Sequence, residues 1–345
     1  MQFFNPTPGA SNNASGTTPT SFIVYSVAGA IYTQSFDSLP DPGASSVDSG
    51  NPVTINGVTY SLANPYDFAY PVSATGNSGG LGLAAMSGWY GLADPTASVG
   101  TRFGASDGDQ TAGGQISFGP ANSSDRALGL LATSTTGYTA FGAKFINNTG
   151  ATLNYINLQV TGEIWRQSNK PKTLECYYFM DPTAVAPMST QATAYLPAFN
   201  ISFPTDAGDV GGAAVDGTAP ANQVYLSVTN QPITNWPPGA ALWLVWEMAD
   251  STGKAQGLAI DNFSFAATAL GTPTNTPSIN IQPAGAGQFV LSWPVSAGFQ
   301  LYAATNITPP VTWSLVTNAA AGGDGTLLLT LPATNSAAQF FRLMA

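Results

Sequence analysis

The chain has 345 residues, of which only 8% are charged, with 37 glycines and 26 prolines beside 44% hydrophobic positions. That length supports one large domain and one small one, each with its own core, and the composition is turn-rich and globular rather than disordered. A net charge of −10 with eight basic residues leaves no basic patch to neutralise phosphates, so nucleic acid is excluded as a partner class.

Residues 1–20, "MQFFNPTPGASNNASGTTPT", read as an extended N-terminal arm rich in Gly, Ser, Thr, Asn and Pro. Ordering such a segment costs about 1–2 kcal/mol of backbone entropy per residue, so it needs an anchor. Docking on a neighbouring copy by strand addition is one answer, with Met1, Gln2, Phe3, Phe4, Phe22, Ile23 and Val24 as the subunit-contact residues. Folding back on its own domain is the other.

Residues 21–269 carry a succession of short β-branched and aromatic runs. The first are "SFIVYS" and "AIYTQSF". Next comes "VTINGVTYSL", where Asn56-Gly57 between alternating apolar positions predicts a two-residue hairpin. "GQISFG", "ALGLLATST", "TAFGAKFINN", "NYINLQVTGEIWR", "TLECYYFM", "ALWLVWEM" and "GLAIDNFSFAA" follow, and no ten-residue helical pattern interrupts them. This predicts an all-β fold, an antiparallel jelly-roll sandwich. The single cysteine, Cys176, is expected to be an inert buried thiol. "LGTPTNTPS", residues 270–278, reads as a stiff Thr/Pro linker. Residues 279–345 hold six or seven further strand candidates and predict a small immunoglobulin-like sandwich, with Trp293 as its core aromatic.

The start "MQFF" has no basic n-region and no stretch reaches about 18 consecutive apolar residues. The expectation is therefore a mature extracellular or cell-surface protein without a membrane span.

"YTQSFDSLP", "GWYG", "GGQISFGPANSSDRALGLL", "FINNTGATLNYINLQVTGEIWR" and "GLAIDNFSF" together resemble a family of secreted bacterial concanavalin-A-like, or laminin-G-like, jelly-roll domains, over roughly residues 30 to 268. The C-terminal "FVLSWPVSAGFQLYAATNITPPVTWSLVTN" and "QFFRL" resemble the small immunoglobulin-like (fibronectin-III-like) modules that close many extracellular bacterial proteins. The resemblance implies the fold and an extracellular location. The roles it implies range over lectins, adhesins, structural subunits and, less often, glycanases.

The chain has no histidine, which removes the commonest general base and the Ser-His-Asp arrangement. Jelly-roll glucanases set Glu-x-Asp-x-x-Glu along one strand so that alternate side chains share a face. Glu163, Glu175 and Glu247 are the only glutamates and none has that spacing, so no enzyme is expected and no catalytic residue is assigned. Glu163 and Arg166 in "GEIWR" are three apart, which puts them on opposite faces of a regular strand unless a bulge intervenes. Asp125 and Arg126 read as a turn leading into a strand. Glu247, Asp250 and Asp261 would form a carboxylate cluster if "WEMADSTGKAQGLAIDN" closes a hairpin.

No cofactor is required, although Ca²⁺ has candidate ligands in Asp206, Asp209 and Asp216 of "DAGDVGGAAVDG", and Asp107 and Asp109 form a second acidic loop. Sequons for covalent glycans occur at Asn13, Asn122, Asn147, Asn200, Asn262 and Asn306. Trp89, Tyr90 and Trp236 stand beside Gly or Pro and are candidate glycan-stacking rings. Low charge suits a surface that packs against copies of itself. The leading expectation is thus an extracellular structural subunit that assembles head-to-tail into a fibre, its arm docking on the next copy. A secreted carbohydrate-binding or adhesive protein is the alternative, and a glycanase comes third.

Overall fold

The computed structural model describes residues 21–76, 78–189, 194–205, 208, 211–269, 279–285, 287–294, 300–308, 311–321, 326–332 and 338–344. The arm with Met1, Gln2, Phe3, Phe4 and Asn13, the linker 270–278, and the Ca²⁺ candidates Asp206 and Asp209 lie outside the described residues. The chain divides into two compact units, Met1–Thr272 and Pro273–Ala345. Its described elements are strands and three short 3₁₀ turns, an all-β fold.

The larger unit is a sandwich of an eight-stranded and a nine-stranded sheet. The eight-stranded sheet runs, edge to edge, Ala194–Tyr195, Thr173–Asp181, Ala241–Met248, Thr139–Asn147, Trp89–Ala93 and Tyr66–Asp67. Ile201–Ser202 joins Thr173–Asp181, and Ile23–Tyr25 joins Thr139–Asn147. The nine-stranded sheet is built on the long strands Leu153–Gln167 and Gly257–Thr268, flanked by Gln223–Trp236 on one side and by Ala127–Leu131, Gly114–Phe118 and Phe103–Ser106 on the other. Pairing is antiparallel except for Ile23–Tyr25 on Thr139–Asn147 and Phe103–Ser106 on Gly114–Phe118.

Period-two alternation assigns the faces. Leu158, Val160 and Ile164 point inward from one sheet and Leu242, Leu244 and Trp246 from the other, meeting in one large core. Each sheet also carries an apolar cluster on its outer face. Tyr90, Ala140, Trp243 and Val245 form one on the eight-stranded sheet, and Ile116, Phe118, Leu131 and Trp165 form the other on the nine-stranded sheet. Such outer clusters explain how so few charges suffice: the strands are apolar on both faces where loops cover them.

The hairpin at Asn56-Gly57 is present. Val53–Ile55 pairs with Val58–Tyr60, and both turn residues have positive φ, 47° and 79°, the backbone that a two-residue turn between right-twisted strands requires.

Of Phe22, Ile23 and Val24, the last two pair with this chain's own strand, and Phe22 and Val24 are half-buried. Ile23 is buried in this chain's own core and pairs with Phe145 of its own sheet, and the preceding Ser21 is tied down through its backbone N–H and its hydroxyl, which both donate to the Asp67 carboxylate (2.7 and 2.9 Å). A third strand on an existing ladder gains core burial as well as hydrogen bonds, so this segment closes its own sandwich.

The smaller unit has a four-stranded sheet (Asn280–Gly285, Gln288–Pro294, Thr326–Pro332, Ala320–Ala321) and a three-stranded one (Ser314–Leu315, Gln300–Ala304, Phe340–Met344). Its core is Leu291, Trp293, Leu301 and Leu329, with Trp293 2% exposed.

Candidate functional site

Two pairs of acidic side chains stand on the outer faces of the two sheets. The first lies at the edge of the eight-stranded sheet. Along Thr173–Asp181 the inward residues are Leu174, Cys176 and Tyr178, which leaves Glu175, Tyr177 and Phe179 facing out. Along Ala241–Met248 the outward row is Trp243, Val245 and Glu247. The register sets Glu175 directly opposite Glu247 and Tyr177 opposite Val245. Directly opposed residues have Cβ atoms about 4.5–5.5 Å apart.

The Tyr177 hydroxyl donates to Glu175 Oε2 (2.9 Å), and its ring lies 5.0 Å from that of Tyr195 on the edge strand, tilted by 37°. Tyr195 is 47% exposed, and its hydroxyl accepts from the Asn200 amide. Glu175 and Glu247 are both half-buried. Glu247 Oε2 is buried with no hydrogen-bond partner among the described residues. Burial first and then the Glu175 carboxylate push the Glu247 carboxyl up to about 7, so near neutrality it holds a proton for part of the time. Burial and the Glu175 carboxylate also push the Tyr177 phenol up, which keeps it a donor.

The second pair lies on the nine-stranded sheet. Glu163 stands opposite Ala259 and Asp261 opposite Thr161, so the two acids are diagonal neighbours on one outer face. Asn262, at φ 51°, sits at a break in register beside Asp261. Glu163 is fully occupied: Trp165 Nε1 donates to Oε2 (2.8 Å) and Gln223 Nε2 to Oε1 (2.9 Å). Burial raises its carboxyl to about 7 against those two bonds, with Asp125 and Asp216 adding to the rise. Asp261 accepts from Asn262 Nδ2 (2.6 Å) while Oδ1 is buried without a partner, and burial, with Glu163, Asp125 and Asp37 in support, raises it to about 8.

A cleft of about 310 Å³ opens beside this pair, lined by Asp107, Pro120, Ala121, Trp165, Ala214, Val215 and Asp216. Trp165 is nonetheless only 2% exposed. Phe118 stacks on it (6.2 Å, 9°), and a Cβ on Gly217 would overlap its indole. Its ring faces are filled from within, so this arrangement is a packed polar core.

The structure corrects several sequence-based assignments. Trp89 and Trp236 are fully buried and Tyr90 is 3% exposed; their ring faces pack on Phe36, Tyr25 and Trp243 rather than on solvent. Neighbouring glycines and prolines there shape turns over buried rings. Glu247 and Asp261 do not cluster, because the segment after Met248 crosses from one sheet to the other instead of closing a hairpin. Asn147 is 1% exposed and its amide donates to the Ala151 and Trp236 carbonyls, which leaves no nitrogen for a glycan. The Asn200 side chain is likewise engaged, by the Cys176 N–H and the Tyr195 hydroxyl. Asn122 and Asn306 are exposed. Asp216 is exposed and caps its own turn through Thr218. Among the described residues no group of three acidic or Cys side chains is disposed to hold a metal ion, and no helix is long and apolar enough to cross a membrane.

Arg166 is 3% exposed and donates to the carbonyls of Gly108 (3.0 Å), Gly211 (2.9 Å) and Gly212 (2.8 Å). Sequence reasoning missed the Glu175–Glu247 pairing and the two tyrosines beside it. The i, i+2 spacing of Glu175 and Tyr177 was a signal of a shared face, but the register that adds Glu247 is not written in either strand alone.

No protein-family model and no curated protein matches this sequence. Among solved structures, one similar chain is the glycoside hydrolase domain of Endo-D from Streptococcus pneumoniae R6, at 11% identity and a TM-score of 0.26, covering 91% of this chain and 40% of that one. Another is the tandem CBM22-1–CBM22-2 domain of Xyn10C from Paenibacillus barcinonensis, at 7% identity and 0.25, covering 75% of this chain and 80% of that one. A sialidase is similar at 12% identity and 0.21, over 45% of this chain and 17% of that one. TM-scores this low carry no weight for activity, and the chain's own residues decide the reading below.

Proposed function

We propose that the protein binds carbohydrate on the outer face of its eight-stranded sheet, at the edge formed by Glu175, Tyr177, Tyr195 and Glu247. The observation that supports this is the exposed Tyr195 ring opposite Tyr177, whose hydroxyl donates to the half-buried Glu175 that faces Glu247. An aromatic face stacks on the apolar face of a pyranose, and carboxylates accept from its hydroxyls, so one small patch supplies both kinds of contact. The chain's net charge of −10 and the two glutamates at the patch disfavour uronate or sulfated glycans, which makes neutral polysaccharides the class to test.

The fibre reading has no comparable support. Its arm lies outside the described residues, and Ile23 and Val24 belong to this chain's own sheet.

Affinity electrophoresis of the full chain through gels containing xylan, mixed-linked β-glucan, galactomannan or laminarin tests the binding reading. Retardation in at least one gel that Tyr195→Ala abolishes is the expected result. Equal mobility in every gel would overturn it.

A further inference from the structure

The proposed binding patch also holds the parts of a hydrolytic site, and we infer that it cleaves neutral glycans with retention of anomeric configuration, Glu175 serving as nucleophile and Glu247 as acid and base. The inference rests on the binding reading and goes beyond it.

Three features of the geometry carry it. Glu175 and Glu247 face each other across one antiparallel ladder, with Cβ atoms about 4.5–5.5 Å apart, from which the two side chains can reach the carboxyl spacing of about 5–5.5 Å that a double-displacement mechanism needs. Their environments are unequal. Glu175 accepts a hydrogen bond from Tyr177 (2.9 Å), which fixes its position, whereas the buried Oε2 of Glu247 has no donor near it among the described residues, and that burial favours a protonated acid. Both glutamates are half-buried rather than enclosed, and the Tyr195 ring on the adjoining edge strand is 47% exposed. Glu163 and Asp261 share the unequal hydrogen bonding but lack the direct opposition and the exposed ring: Glu163 has both oxygens occupied, and the two acids are diagonal and buried.

In the first step a Glu175 oxygen forms an ester bond to the anomeric carbon. The bond from that carbon to the leaving oxygen breaks, and the leaving oxygen takes the Glu247 proton. In the second step the Glu247 carboxylate accepts a proton from water, the water oxygen bonds to the anomeric carbon, and the ester breaks to restore the Glu175 carboxylate. One water is consumed per linkage, and no other co-reactant is needed. Tyr177 donates to Glu175 Oε2 and acts through that carboxylate, as a positioning residue. The charged and titratable groups that face Glu247 are Glu175 and Tyr177 on the neighbouring strand and Tyr195 beyond it, while its partner on the other side, Ala140, is neutral.

The test is to incubate the full chain with the same four polysaccharides and measure new reducing ends, with proton NMR of the first-formed anomer. Release from at least one polysaccharide, retained configuration, and a fall of at least about 100-fold in both Glu175→Gln and Glu247→Gln is the expected result. Thermal melts of both variants check that they fold. The 2-deoxy-2-fluoro glycoside of the cleaved sugar should add its glycosyl mass to the peptide containing Glu175. Tyr177→Phe should lower the rate about tenfold and shift the acid limb of the pH profile, which a purely structural role would not move.

Inverted product, label on another residue, or undiminished rates in the glutamine variants would each overturn the assignment. Tyr195-dependent retardation without reducing ends would overturn hydrolysis and leave binding standing. Failure of both would remove both.

Discussion

The outer faces of the two sheets treat the same chemistry in opposite ways. On the nine-stranded sheet, Glu163 and Asp261 are enclosed with Trp165 between Phe118 and Gly217, and the Glu163 oxygens are satisfied from inside the protein. On the eight-stranded sheet, Glu175 and Glu247 confront each other at an edge where only one of them has a donor and where an aromatic ring stands open. Directly opposed like charges destabilise a ladder. Burial is the first cause of the raised carboxyls on both faces, and on the eight-stranded sheet the directly opposed Glu175 adds to it beside an exposed ring.

The largest effect should come from breaking the packed face. Trp165→Ala removes an enclosed indole and is expected to cost about 3–5 kcal/mol in urea unfolding. Gly108→Ala should be comparably severe, because its φ of 107° disfavours a side chain and a Cβ would overlap the Trp165 carbonyl. A cost below about 1 kcal/mol in both would mean that this face is not a packed core.

Next is a pH dependence. Glu163 and Asp261 are raised in the folded state, to about 7 and about 8, from ordinary carboxyl values near 4. The folded protein therefore holds these protons more tightly than the unfolded chain. The stabilisation is fully present below about pH 4 and is lost progressively until pH passes the folded values near 8. Melting temperature is expected to fall over that window, and Asp261→Asn should flatten the fall. An unchanged slope in that variant would assign the dependence elsewhere.

Smaller and opposite in sign is Glu247→Gln. Relief of the confrontation with Glu175 should stabilise the fold by about 0.2–1 kcal/mol at pH 8, and less at pH 5, where Glu247 is already protonated. A site held for ligand rather than for stability should gain in melting temperature while losing its function. The smallest change is expected from Tyr195→Ala, within about 0.5 kcal/mol of the parent in unfolding, because nearly half of its side chain is already exposed.

The fold class was legible because strand alternation and turn chemistry are local. Asn56-Gly57 specifies its hairpin with two residues, and the lack of any helical period leaves little alternative to sheets. The site was much less so. Trp89, Tyr90 and Trp236 look like loop aromatics from their Gly and Pro neighbours, yet whether a ring at a turn points in or out depends on which strands pass beneath it. Glu247 and Asp261 lie fourteen positions apart with a turn-rich stretch between them, a pattern shared by hairpins and by crossings between sheets. Glu175 and Glu247 are 72 positions apart and meet only through register, which is a property of the whole sheet.

Cys176 gives the site strand a reporter of its own. It sits between Glu175 and Tyr177, fully buried against the interior, and it is the chain's single sulfhydryl. A thiol-reactive dye can therefore modify the native protein only when the Thr173–Asp181 strand lifts from its neighbours. The labelling rate becomes a clock for that opening, and a sugar bridging Tyr195 and the two glutamates should slow it.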